Sequence, residues 1–233
     1  MLSRHPHSRR RQRGLSIVEM MIGITIGLLV VAAASMVVST QLVENRNLLI
    51  ETQVQQDLRA TADIVTRELR RAGAWNGSFK GVWYAGGPAP LANPFAAVSP
   101  ASAPATEVDY AYHRSAGAEG PFGFRLNGGV IQARLGSSGW QELTDPRTLT
   151  VTSFTITPVS APATPTKLPC PKLCADGSTD CWPTVTVREL VVAIVGQAPS
   201  DAAIQRSIHA TVRLRNDWVR FNDPLNPSLV CPA

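Results

Sequence analysis

After residue 14 this chain holds little with which to do chemistry. Only two histidines remain there, His113 and His209. No serine sits in G-x-S-x-G. There is no phosphate-binding G-x-x-x-x-G-K-[ST], no G-x-G-x-x-G and no H-E-x-x-H. The cysteines form no C-x-x-C redox pair. These absences argue against an enzyme and leave no cofactor site to expect. His209 falls on the face opposite Ile208 and Ala210 in an alternating segment, so it reads as exposed rather than catalytic. Proline is missing between Pro6 and Pro88, and Gly23 and Gly27 are the only glycines from Leu15 to Ala72. A long helix can therefore form there without a breaker.

Charge is equally uneven. The formal net charge is +5, but five of the 22 Lys and Arg lie at Arg4, Arg9, Arg10, Arg11 and Arg13. The remaining 17 balance 17 Asp and Glu. No basic stretch interleaved with aromatics occurs beyond that start, so no nucleic-acid partner is expected. No internal repeat is evident, and 233 residues suit one anchored domain of moderate size.

What the chain does have is concentrated in residues 9–38, RRRQRGLSIVEMMIGITIGLLVVAAASMVV. The basic leader ends at Gly14. From Leu15 to Val38, 24 residues carry a single charge, Glu19. Such a run can cross the roughly 30 Å hydrocarbon core as a helix, and the basic flank places the amino terminus in the cytoplasm. A charge near the centre of a span costs on the order of 3 kcal/mol on insertion scales. A carboxylate at the fifth residue therefore calls for a partner. A secretory signal carries its small-residue cleavage site after the apolar region. Here only Ala32-Ala33-Ala34 imitates one, and the better junction, Gly14/Leu15, lies before the run. Gly23-x-x-x-Gly27 permits close approach of another helix.

The helical pattern continues beyond. Ile50, Val54, Leu58, Ala62, Val65 and Leu69 recur at steps of three or four, with Glu51, Gln55, Asp57, Arg59, Asp63, Arg67 and Glu68 elsewhere on the wheel. One helix of about 58 residues, roughly 87 Å at 1.5 Å per residue, is predicted. Gly73 ends it, after Arg70 and Arg71. Residues 74–106, rich in Gly, Ala and Pro, predict a surface connection attached through Trp75, Phe79, Trp83, Tyr84 and Phe95.

Strand signals fill 107–233. Glu107–His113 alternates, with Val108, Tyr110 and Tyr112 on one face. Phe122–Leu126 and Val130–Leu135 flank Asn127-Gly128-Gly129, a hairpin signal. Trp140–Leu143, Leu149–Thr157, Thr184–Val195 and Ser207–Arg215 follow, the last two as an antiparallel pair. Residues 158–183 form a Cys- and Pro-rich loop. A long helix leading to an antiparallel sheet is an α+β fold.

The leader, Gly14, the apolar Leu15, Ser16, two aliphatics, Glu19 and Met20-Met21-Ile22 stand in a register that resembles the type IV pilin and pseudopilin superfamily. That family usually has Phe where this chain has Leu15. Glu68-Leu69-Arg70-Arg71-Ala72-Gly73 and Val212-Arg213-Leu214-Arg215-Asn216 are similar to segments of large minor pilins of the PilW type. The resemblance implies a pilin-like layout: a leader peptide over 1–14, a membrane-spanning or filament-core half-helix over 15–38, an amphipathic periplasmic half over 39–73, the connection over 74–106 and a β-sheet head over 107–233. It implies cleavage by prepilin peptidase between Gly14 and Leu15 and N-methylation of Leu15. Glycine suits the cleavage site because it lacks a side chain that would obstruct a peptidase. Glu19 is implied to pair with the terminal amine of a neighbouring subunit during assembly.

The function implied is that of a minor pilin, a non-catalytic structural subunit that primes or supports type IV pilus assembly for twitching motility or adhesion. Its partners would be other minor and major pilins through the N-terminal helix, prepilin peptidase, the inner-membrane assembly platform and the lipid bilayer. Its place would be the bacterial inner membrane, single-pass with a periplasmic head, and then the pilus, including its tip. A type II secretion pseudopilin is the alternative within the class. A signal-anchored periplasmic binding domain or enzyme is the alternative outside it, and predicts an uncut leader.

All four cysteines lie late, at Cys170, Cys174, Cys181 and Cys231. With the leader cytoplasmic they face the oxidising periplasm, where disulfides persist. Three full pairings exist. Each joins Cys231 to the 170–181 loop and closes a second bridge inside it, so the connectivity stays open. Closing a loop of about 50 residues stabilises by roughly 4 kcal/mol in the chain-entropy model. A zinc site would need a second ligand pair that the sequence lacks, so no metal is expected. Asp176-Gly177-Ser178-Thr179-Asp180 offers oxygen ligands but lacks the EF-hand pattern and reads as a polar turn.

Overall fold

The computed structural model describes residues 14, 16–84, 86–114, 120–159, 165–220 and 231–232. Residues 1–13 and Leu15 lie outside these. One α-helix, α1, runs Ile17–Leu69. The chain divides into a unit ending at Leu48 and a unit beginning at Leu49.

The first unit is helical from Ile17 onward, largely apolar on every side from Met20 to Thr40 with Gln41, Glu44, Asn45, Arg46 and Asn47 beyond, and none of its described residues is buried. Thr25, Ser35, Ser39 and Thr40 interrupt that surface. Each hydroxyl donates to a carbonyl three or four residues back, at 2.8–3.1 Å. Their polar hydrogens are thus satisfied without water.

In the second unit the helix changes character. Val54, Leu58, Ala62, Val65 and Leu69 are buried while the intervening charges stay outside. Full burial of each large side chain in this stripe stabilises by about 2 kcal/mol. The stripe packs in one core with two antiparallel sheets. The first is a meander of β1 (Val98–Ser99), β2 (Glu107–Tyr110), β3 (Phe122–Asn127), β4 (Val130–Leu135) and β5 (Trp140–Glu142), paired in sequence order. It contributes Val108, Tyr110, Phe122, Phe124 and Ile131. The second contains β6 (Thr150–Pro158), β9 (Glu189–Ala198) and β10 (Asp201–Arg213), with β9 in the middle. β9 alternates strictly, burying Leu190, Val192 and Ile194. A third sheet joins β7 (Thr166–Lys167), β8 (Thr184–Thr186) and β11 (Trp218–Arg220), with β8 central.

Several boundaries differ from the sequence expectation. The helix stops at Leu69, earlier than Ala72. Arg70 still donates to the Thr66 carbonyl, but the Arg71 and Ala72 amides turn to carbonyls only three residues back, both at 3.0 Å. This tightened turn ends at Gly73, whose φ of +76° suits glycine. The Gly73 amide leaves the helix altogether and donates to the Ala111 carbonyl at 2.9 Å.

The connection over 74–106 is less bare than expected, because it contains a 3₁₀ turn at Ser78–Gly81 and β1. Of its aromatics, Trp75, Trp83 and Phe95 are partly buried, whereas Phe79 and Tyr84 are 71% and 59% exposed and attach to little. β2 ends at Tyr110, although Tyr112 keeps its inward face. The hairpin signal is realised by Gly128-Gly129, with φ of +58° and +80°, between the paired Asn127 and Val130. Positive φ at both central positions is the type I′ geometry that matches strand twist.

The expected strand Thr184–Val195 is two strands in different sheets. Val187-Arg188 separates them, and the Arg188 carbonyl accepts the Leu214 amide at 3.0 Å. β10 pairs antiparallel with β9 as expected, but begins earlier, at Asp201, after a turn at Pro199-Ser200.

Candidate assembly site on the N-terminal helix

The helix begins where the Met20 amide reaches the Ser16 carbonyl at 3.1 Å. Glu19 stands in its first turn. A carboxylate there complements the positive end of the helix dipole, worth roughly 0.3–1 kcal/mol. Ser16-x-x-Glu19 also has the spacing of a capping box, a local reason for the two residues apart from any membrane partner. Gly14 is exposed, and no atom lies within 4 Å of the position a Cβ would take. Leu15, expected to become the methylated terminus, lies outside the described residues, as does the basic leader.

Between Glu19 and Glu44 no charged residue occurs. Large side chains such as Ile22, Leu29, Met36 and Leu42 stand exposed on every side. A helix apolar all round is covered by lipid or by protein. By length and composition this one can cross a membrane. Gly23 and Gly27 lie one turn apart, with open space over both. The surface so made suits apolar contact with other helices and one carboxylate-to-cation pairing near its start.

The other expected residues gather in the second unit. Cys170 is bonded to Cys231, 61 positions on, and Cys174 to Cys181. In the polar turn the Asp176 carboxylate accepts the Ser178 amide at 2.9 Å, and Asp180 pairs with Lys167 at 2.5 Å. His209 is exposed on β10, and His113 lies beside the Phe95 ring at 6.5 Å between centroids. Among the described residues no three His, Cys, Asp or Glu are grouped to hold a metal.

Two polar clusters tie the head together. Glu68 accepts from Arg71 at 3.0 Å and from the Tyr112 hydroxyl at 3.1 Å. Burial pushes the Tyr112 phenol above its usual range and Glu68 adds to this, while Arg71 opposes it. Burial raises Tyr110 further, and its hydroxyl has no hydrogen-bond partner among the described residues. Arg188 donates to the carbonyls of Ala96 and Asn216. Burial lowers its pKa, against the pull of Asp217. These links bind the helix end, the connection and the β10–β11 bend. No sequence pattern marked Arg188, because a lone arginine between two strand segments looks like any surface residue.

Residues 9–35 match the family model of the prokaryotic N-terminal methylation motif. Residues 47–214 match that of prepilin peptidase-dependent protein B. The chain belongs to the prepilin peptidase-dependent protein B family. It is thus a pilin-like protein, processed by prepilin peptidase and structural rather than catalytic. The two matches divide this prepilin between the apolar start of α1 and the part that carries the packed stripe and the sheets. Its partners are pilus-related, and the apolar helix with the methylation motif marks a membrane-anchored pilin. The chain matches no curated protein and no solved structure.

Proposed function

We propose that this prepilin is a minor pilin of the PilW type, which primes or supports assembly of a type IV pilus. The observation that carries the reading is an uncovered helix, apolar on all sides, with one carboxylate in its first turn just after a methylation motif. The leader holds the amino terminus in the cytoplasm while the head is exported, giving a single-pass topology. Prepilin peptidase cuts after Gly14 and methylates Leu15, which leaves a cationic chain end. Glu19 then answers the terminal amine of a neighbouring subunit and sets the axial register.

Transfer from lipid into a bundle of pilin helices replaces one apolar environment by another, so the exchange costs little. Residence at the pilus tip and service in twitching or adhesion belong to this reading. A type II secretion pseudopilin shares the processing, so the two are separated genetically. Deletion that abolishes surface pili and twitching supports the pilus, and deletion that blocks protein secretion supports the pseudopilin. Mass spectrometry of the amino terminus, with and without prepilin peptidase, tests the processing. A new terminus at methylated Leu15 only when the peptidase is present is expected, and an intact leader in both strains refutes it.

A further inference from the structure

The two short segments that resemble minor pilins, residues 68–73 and 212–216, are far apart in sequence and adjacent in the fold. The Arg215 amide donates to the Arg70 carbonyl at 3.3 Å, and the Asn216 side chain donates to the Ala72 carbonyl at 3.1 Å. The Leu214 amide is held by Arg188. These bonds fix the main chain of both segments around an open cleft of about 590 Å³, lined by Arg70, Glu189, Thr211, Arg213, Leu214 and Arg215.

Three guanidiniums line this cleft and its charge balance is positive. Glu189 is the one acid in the wall, and it stands directly across the β9–β10 ladder from Arg213. Arg213 also meets Asp217 at 3.4 Å. Neither Arg70 nor Arg215 forms an ion pair among the described residues. The negative end of α1 accounts for a cation at position 70. It does not account for two more on the end of a strand, where like charges brought together repel.

We propose that this cleft binds a phosphoryl oxyanion, with Arg70 and Arg215 as its principal ligands and Arg213 and Thr211 assisting. A tetrahedral anion offers oxygens to several guanidiniums at once, each able to donate in pairs. A single carboxylate engages one such fork. Glu189 and Arg213, facing each other across the β9–β10 ladder, form one wall, and the two arginines without an ion pair among the described residues are left for the ligand. The inference does not depend on filament membership, since binding is read on the isolated protein.

The test uses the full chain in phosphatidylcholine nanodiscs, with inorganic phosphate as one probe and vesicles with or without phosphatidylglycerol as the other. Saturable binding is expected, weakened at least roughly tenfold in Arg70→Ala/Arg215→Ala, since both principal donors to the anion are lost. The melting temperature of that variant should hold or rise, because repulsion is relieved. Arg70→Lys/Arg215→Lys keeps charge and packing without the paired donors. It should bind several-fold more weakly than the wild type, which keeps the test decisive if the alanine pair fails to fold. Binding of phosphate alone identifies a soluble phosphoryl group as the source, and binding of anionic vesicles identifies a lipid headgroup. Absence of saturable binding to either probe, or equal binding by both variants and the wild type, overturns the proposal.

Discussion

Asn216 donates its side-chain amide to the Ala72 carbonyl, 3.1 Å away across 144 positions of sequence. Ala72 lies in the tightened turn where α1 ends and its last carbonyls need donors. The bond fastens the chain after β10 to the end of the helix, beside the Arg188 contact to the Asn216 carbonyl. Asn216→Ala should cost about 1 kcal/mol and lower the melting temperature by a few degrees. Thermal unfolding followed by circular dichroism checks this. An unchanged melt would show that water serves the carbonyl equally well.

Tyr110 and Tyr112 both have phenols raised above the usual value of about 10, chiefly by burial. Their contribution to stability is complete below pH of about 10 and is lost as pH rises through the higher folded values. Urea unfolding midpoints should therefore fall above that pH. Tyr110→Phe removes a buried hydroxyl that has no partner among the described residues. It should leave stability at neutral pH equal or higher and soften the alkaline loss. A destabilised Tyr110→Phe protein at pH 7 would contradict the orphaned hydroxyl.

Glu19→Ala should insert in the membrane and lose its leader normally, yet fail to enter filaments. Fractionation and immunoblotting of sheared surface fibres read both outcomes. Normal incorporation would remove the proposed pairing with a neighbour's amine.

Gly14→Val places a branched side chain at the proposed scissile bond. The full leader should remain, visible as the intact mass, while wild-type protein gains a methylated Leu15 terminus. Normal cleavage of the variant would place the junction elsewhere.

The two disulfides should differ in weight. Removing Cys170–Cys231, which closes a long loop, should cost about 4 kcal/mol, and removing Cys174–Cys181 about 2 kcal/mol, in the chain-entropy model. Denaturant melts of the paired serine variants rank them. The reverse order would show that native contacts of the short loop outweigh chain entropy.

Local pattern made much of this protein legible from the start. The apolar run as far as Val38 and the three-or-four spacing from Ile50 to Leu69 mark the helix from Ile17 and its buried stripe, because periodicity acts within a few turns. The double-glycine hairpin is local in the same way. The division of Thr184–Val195 between two sheets was not legible. The segment is uniformly strand-forming, and where it parts the Arg188 carbonyl meets the Leu214 amide, just past the end of β10. The exposure of Phe79 and Tyr84 was hidden too, since an aromatic in a loop carries no sign of which side faces the core.

Sequence alone set the helix, the lone acid in the apolar run and the number of cysteines, which need no partner from far along the chain. Which cysteines join, where the helix yields to Ala111, and how Arg70 comes beside Arg215 were decided by tertiary structure. Each needs a partner brought from tens of residues off, and only packing of the whole core supplies it.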